Sequence, residues 1–174
     1  MTFEIHSDIT NRSMTIASRA MRKVLRRKRS ILWAIFDWSV FFINALLLIP
    51  FDGEPFTLDA GTVISLLVEV MLLSVLLFQD RINGMIACKN TLAGTKDYHI
   101  VFGEESYTVV TEVATSTFRY ELIDAMAESQ DYMILLMKKR YAQPLDKRTL
   151  TGGTVEECKR FLEEKTGKTF RRVK

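Results

Sequence analysis

The chain has 174 residues, 48% hydrophobic and 26% charged, with a net charge of +3, which suits one modest domain with length to spare and excludes a transporter of many spans. Eight Gly and three Pro exclude collagen-like and proline-rich readings, and two cysteines, Cys88 and Cys158, exclude a disulfide framework or a CxxC metal site. The charge is lopsided, because residues 1–30 carry Arg12, Arg19, Arg22, Lys23, Arg26, Arg27, Lys28 and Arg29 against only Glu4 and Asp8.

In chain order, Phe3 and Ile5 alternate like a short strand, and Ser7 or Asp8 is expected to open a basic helix running to residue 30. That strand is expected to pair with a C-terminal sheet. Residues 31–49 are apolar except for Asp37, Ser39 and Asn44, and residues 62–78 are apolar except for Thr62, Ser65, Glu69 and Ser74. Both runs are long enough to span a bilayer. Both are also apolar around the whole helix, and little amphipathic chain remains to cover them as buried core helices. A cleaved signal peptide fits less well than a retained anchor, since the basic region is long and no small-x-small site follows Pro50.

Residues 50–61 form a short loop with Asp52, Glu54 and Asp59 and no Lys or Arg. The Lys/Arg asymmetry therefore puts both termini in the cytoplasm and this loop outside, with Arg81 and Lys89 marking the return and both cysteines kept reduced. Residues 79–174 are assigned to a cytoplasmic domain. From residue 90 onward 14 Lys/Arg balance 13 Asp/Glu, as in a compact soluble fold. Tyr98, Ile100 and Phe102 alternate, a turn follows at 103–106, and Tyr107, Val109 and Val110 complete a hairpin. Phe118, Tyr120 and Leu122, followed by Ile123, suggest a third strand. Tyr132–Met137 reads as a fourth, buried on both sides, and residues 140–146 as an edge strand that tolerates Pro144. Thr154 and Glu157 form a capping box, so a final helix is expected over 154–166, with Gly167 as its stop. The predicted fold class is an α+β membrane protein: a transmembrane helical hairpin plus a small antiparallel sheet capped by a C-terminal helix.

The segments Tyr98-His-Ile-Val-Phe102, Ser106-Tyr-Thr-Val-Val110, Thr117-Phe-Arg-Tyr-Glu-Leu-Ile123, Asp131-Tyr-Met-Ile-Leu-Leu136 and Gln143-Pro-Leu145, set behind two apolar spans, carry a resemblance. The chain resembles the YcxB-like family of small bacterial two-span membrane proteins, and that resemblance implies a β-rich cytoplasmic domain similar to pleckstrin-homology (PH-like) domains. Tyr120 stands where members commonly have Trp. The family brings no catalytic residues with it, and the resemblance places the chain in the bacterial inner membrane.

Chemistry is sparse. His6 and His99 have no Cys, Asp or Glu at metal-ligand spacing, no phosphate loop or nucleophile elbow occurs, and neither catalytic, cofactor-binding nor metal residues are expected. The chain is read as a non-enzyme. Cys88, at the membrane exit, is better read as unmodified than as palmitoylated. Arg19, Arg22, Lys23, Arg26, Arg27, Lys28 and Arg29 abut the first span, so anionic lipid and topology, not nucleic acid, account for them. Asp37, Asn44, Glu69 and Ser74 are the polar groups at bilayer depth, where a carboxylate costs about 2.5–3.5 kcal/mol. Counting inward from the loop pairs Asn44 with Glu69 and Asp37 with Ser74, and a protein partner or a second copy could engage the hairpin there. Two functions are compatible with this pattern: a membrane-anchored binding or regulatory module whose cytoplasmic sheet recognises a protein, peptide or lipid, or an immunity or stress-protection protein acting at the membrane against a toxin or bacteriocin.

Overall fold

A computed structural model describes residues 2–47, 60–137 and 141–173. Strand β1 (Phe3–Asp8) leads into helix α1 (Asn11–Ala20), a π-helical turn (Met21–Leu25) and helix α2 (Arg27–Leu47). Helix α3 (Ala60–Lys89) returns, followed by β2 (Asp97–Phe102), β3 (Ser106–Thr111), β4 (Thr115–Arg119), β5 (Ile123–Glu128), β6 (Tyr132–Met137), β7 (Tyr141–Asp146), α4 (Val155–Thr166) and β8 (Phe170–Arg172). The architecture is α+β. It holds two four-stranded sheets where one small sheet is expected from sequence, ordered β1-β2-β3-β4 and β7-β6-β5-β8. The second is not purely antiparallel, because β8 runs parallel to β5.

The expected pairing of the N-terminal strand is present. β1 runs antiparallel to β2 with Phe3 opposite Phe102 and Ile5 opposite Ile100. Its other edge is also bonded: Glu4 and Thr151 exchange two backbone hydrogen bonds, and the Thr149 hydroxyl donates to the His6 carbonyl. Helix α1 starts later than Ser7 or Asp8. Thr10 is the cap, accepting from the Ser13 amide at 3.1 Å while the Ser13 hydroxyl accepts from the Thr10 amide at 2.9 Å, a capping box with Ser in the place usually held by Glu or Gln. The C-terminal box is as expected, the Glu157 carboxylate accepting from the Thr154 amide at 2.8 Å. Gly167 closes α4 at φ +67°.

The third predicted strand is two strands. A 3-10 turn at Tyr120–Leu122 breaks it, and the chain crosses there from one sheet to the other. Tyr120 is buried in that corner and its hydroxyl donates to the Gly103 carbonyl at 2.7 Å. The main core lies between the sheets, where Phe3, Ile5, Ile100, Phe102 and Tyr107 meet Ile123, Met126, Met133, Leu135 and Leu145, with Cys158 and Leu162 of α4 closing it. On the outer face of the second sheet, Ile134 and Leu136 pack with Ala17, Ala20 and Met21 of α1 and its π-turn. Strand β6 is therefore buried on both faces, which is why its sequence is continuously apolar instead of alternating.

Helix α1 is a two-sided wedge. One face covers the second sheet, and the other meets the part of α3 beyond Phe78. The sequence boundary at residue 79 thus falls inside a helix that runs on to Lys89. Contact is so close that a Cβ on Gly84 would lie 2.5 Å from the Thr15 amide nitrogen, so only glycine lets the two backbones approach. Of the expected 50–61 loop, only residues 60 and 61, which open α3, are described.

Candidate functional site

Two helices, α2 and α3, are long and apolar enough to cross a membrane, and almost nothing among the described residues covers their apolar stretches. Leu32, Leu67 and Leu77 are each about two-thirds exposed or more. An uncovered apolar surface of this extent needs a partner phase or partner protein. The three buried residues of α3 are Glu69, Asp80 and Gly84. Spacings of eleven and four return to nearly the same helix angle, so they form one stripe facing the protein.

The polar groups within the two apolar stretches are arranged differently from the expected pairs. The Asn44 amide donates to the Val40 carbonyl at 3.0 Å and the Ser74 hydroxyl to the Val70 carbonyl at 2.7 Å, each within its own helix. Asp37 lines a small crevice with Leu72, Leu73 and Leu76 of α3. Glu69 is 6% exposed, and neither of its carboxyl oxygens has a hydrogen-bond partner among the described residues. The expected Asn44–Glu69 bond is absent, and the Asn44 amide donates within its own helix instead. An unpartnered buried carboxyl costs about 1–3 kcal/mol. Replacing Glu69 with Met, similar in length and apolar, is accordingly expected to raise the thermal unfolding midpoint of the detergent-solubilised chain. A lowered midpoint would show that the carboxyl is bonded in the working protein.

The cationic run divides into distinct roles beside the C-terminal part of α3. Arg22 grips Asp80 with two bonds, Nε to Oδ1 at 2.7 Å and Nη2 to Oδ2 at 2.5 Å, and Arg19 Nε lies 3.5 Å from the same carboxylate. The hydrogen bond to Asp80 outweighs partial burial and raises the Arg22 pKa. Arg19 and Arg22 are thus both tied to α3 through Asp80. Their partner Asp80 was absent from the sequence-derived site. It stands at the apolar-to-polar transition of α3, four residues before Gly84, and that shared face is the signal for it.

The Arg26 amide bonds back five residues to the Met21 carbonyl in the π-helical turn, and the cations around it divide between two hollows. Arg22, Arg26 and Arg29 line a cavity of about 480 Å3 together with Trp33, Gln79 and Asn83. Arg22, Lys23 and Arg27 line a neighbouring hollow of about 280 Å3 with Ser30 and Ile31. Lys28 lines neither cavity.

On the far side of the protein the open face of the β1-β2 pair gathers both histidines. His6 Nε2 lies 3.1 Å from Asp97 and 3.8 Å from Asp8, and His99 Nε2 lies 3.2 Å from Glu4. The statement that the histidines lack carboxylates at ligand spacing is corrected here: His6-x-Asp8 and Asp97-x-His99 have the period of a strand, not a helix, and share one face. Ligand atoms of His6, Asp8 and Asp97 fall within 4.8 Å of one another, although all three side chains are exposed. A hydrogen bond with Asp97 is the main cause of the raised Asp8 pKa. A larger hollow of about 790 Å3 has Arg12 and Lys147 in its lining, both held in ion pairs. Arg12 pairs with Asp131 at 2.5 Å, while Lys147 and Lys159 both bond Glu128, outweighing its burial and lowering its pKa.

Cys158 is buried, and burial pushes its thiol up to about 12, which keeps it protonated and inert. Cys88 is half-buried with Sγ 3.7 Å from the Ile9 carbonyl.

The sheet corner, the doubly buried β6 and the capped α4 all lie within residues 102–162, and that stretch matches the family model described as YcxB-like protein. Residues 102–162 are a YcxB-like segment. The segment starts after the hairpin and includes β3 to β7 and most of α4. The β1-α1 wedge that joins the YcxB-like segment to the apolar helices lies outside the match. No curated protein matches the chain.

Proposed function

We propose that the chain is a non-catalytic, membrane-anchored binding or regulatory module of the bacterial inner membrane. Helices α2 and α3 span the bilayer, both termini lie in the cytoplasm, and the β domain stands against the inner leaflet, where it recognises a protein, peptide or lipid. The observation that carries this reading is the pairing of β1 with β2. One strand precedes the first apolar helix and the other follows the second, so the two crossings must leave and return on the same side. The Lys/Arg-rich side of such a hairpin is retained in the cytoplasm, and here the cations at 19–29 and the folded domain share that side.

Single cysteines introduced into a chain with Cys88 and Cys158 replaced by Ala test the arrangement. A membrane-impermeant thiol reagent applied to intact cells is expected to label Phe56→Cys and to leave Gln130→Cys unlabelled until the membrane is opened. Labelling of position 130 from outside would overturn the proposal.

A further inference from the structure

The arginine-lined cavity at the hairpin base has the composition and position of an anion site. Its described lining has three arginines and no carboxylate. Arg22 is held in place by Asp80, so its guanidinium is pre-oriented, and Arg29 has no protein partner among the described residues. Guanidinium forks of this kind match phosphate oxygens in pairs. The Asn83 amide adds a donor, and Met14, Ala17 and Met21 form an apolar floor.

Position selects the source of the anion. Arg29, Ser30 and Trp33 occupy the first turns of α2, where the chain becomes apolar, and Gln79 and Asn83 stand where α3 ceases to be so. The half-exposed Trp33 marks the depth at which indole rings settle among lipid head groups. A ligand at this level approaches from the bilayer side. Arg22, Arg26 and Arg29 stand four and three residues apart, the spacing of one helix face, and all three line the same opening.

We propose that this cavity binds the phosphate of an anionic phospholipid of the cytoplasmic leaflet, with Arg22, Arg26 and Arg29 as the phosphate-holding residues and Trp33 at the mouth. This rests on the membrane-anchored reading above and goes beyond it. Lipid attraction by a basic run is diffuse, whereas the cavity distinguishes Arg29 from its neighbour Lys28, which carries the same charge one residue away and is not in its lining.

The full chain, purified in a mild non-ionic detergent with added phosphatidylglycerol or phosphatidylcholine, is examined by native mass spectrometry for retained lipid. The wild type should hold phosphatidylglycerol in preference to phosphatidylcholine. Arg29→Gln should reduce that retention by about tenfold, the scale expected for losing one charge-assisted contact, and Lys28→Gln should leave it unchanged. Ala142→Leu, which fills the cavity from β7 without altering charge, should also release the lipid, and its unfolding midpoint reports separately that the chain remains folded. Equal losses from Lys28→Gln and Arg29→Gln, equal retention of both lipids, or displacement by millimolar inorganic phosphate would each overturn the site. Extraction of the chain from membranes by alkaline carbonate would defeat the anchored reading itself, whereas a chain that resists extraction but retains no anionic lipid defeats the site alone.

Discussion

A chain lacking residues 2–8 should lose the folded β domain while its apolar helices still insert. Ile5 is fully buried and Phe3 nearly so, with the Phe3 ring 5.5 Å from that of Phe161 on α4, so the deletion opens the main core to water along one edge. It also strips bonding partners from β2 on one side and from Thr149 and Thr151 on the other, and it removes the Ser7 hydroxyl that accepts from the Asp146 amide at 2.8 Å. Truncating one large buried side chain alone costs about 2–5 kcal/mol, and whole domains are stable by only about 5–15 kcal/mol. Ile5→Ala is the graded version, expected to lower domain stability by that single-residue amount. Limited proteolysis of the membrane-inserted chain provides the measurement, with β6 and α4 becoming susceptible in the deletion. Unchanged protease resistance would show that β1 is dispensable and remove the basis for placing both ends of the hairpin on one side.

Replacing Asp80 with Asn should be the most damaging isosteric change in the molecule. The Asp80 side chain is 11% exposed and that of Arg22 is 30% exposed, so the pair is largely dry. Losing the carboxylate leaves Arg22 with a partly buried, uncompensated charge and removes the only neighbour drawing Arg19 inward among the described residues. Hydrogen bonds to charged groups contribute about 1.5–3 kcal/mol, and stranding one member of a buried pair can cost 3–5 kcal/mol. A loss of about 2–4 kcal/mol is expected, measured by thermal unfolding in detergent. Converting both partners together, Arg22→Met with Asp80→Leu, should recover most of it, because the stranded charge is gone. A double variant as unstable as Asp80→Asn would place the cost in packing and not in the ion pair.

The readable parts of this fold are those where one strong local rule acts alone. Two long apolar runs, the alternation of Tyr98, Ile100 and Phe102, the unbroken apolar strand at 132–137 and the Thr154–Glu157 box each produced the element they imply. The parts that escaped depend on partners distant in sequence. Phe118, Tyr120 and Leu122 keep the spacing of a continuous strand through a 3-10 corner, since Tyr120 turns inward at the corner much as a strand residue would. β8 has only three residues, two of them arginines, and exists because β5 offers it an edge. The Thr10 cap was missed because Ser13 replaces the usual Glu or Gln. Within the site, the cations were legible as a run, but nothing local separates Arg22, tied to Asp80, from Arg29, which faces the cavity. That division is made by Asp80 of α3, 58 positions away from Arg22. The histidine and aspartate group was hidden for another reason: its members are adjacent only when β1 and β2 are paired.

The pairing of β1 with β2 also dictates an order of assembly. Residues 3–8 leave the ribosome first, but their partner at 97–102 follows only after both apolar helices have been made. At about 5–20 residues per second, the strand waits roughly 5–20 s for the other half of its ladder, and throughout that interval Phe3 and Ile5 have no core to enter. The domain therefore cannot close before both apolar helices have been made. The hairpin comes first, and the sheet forms afterwards as a clasp that holds its two ends together.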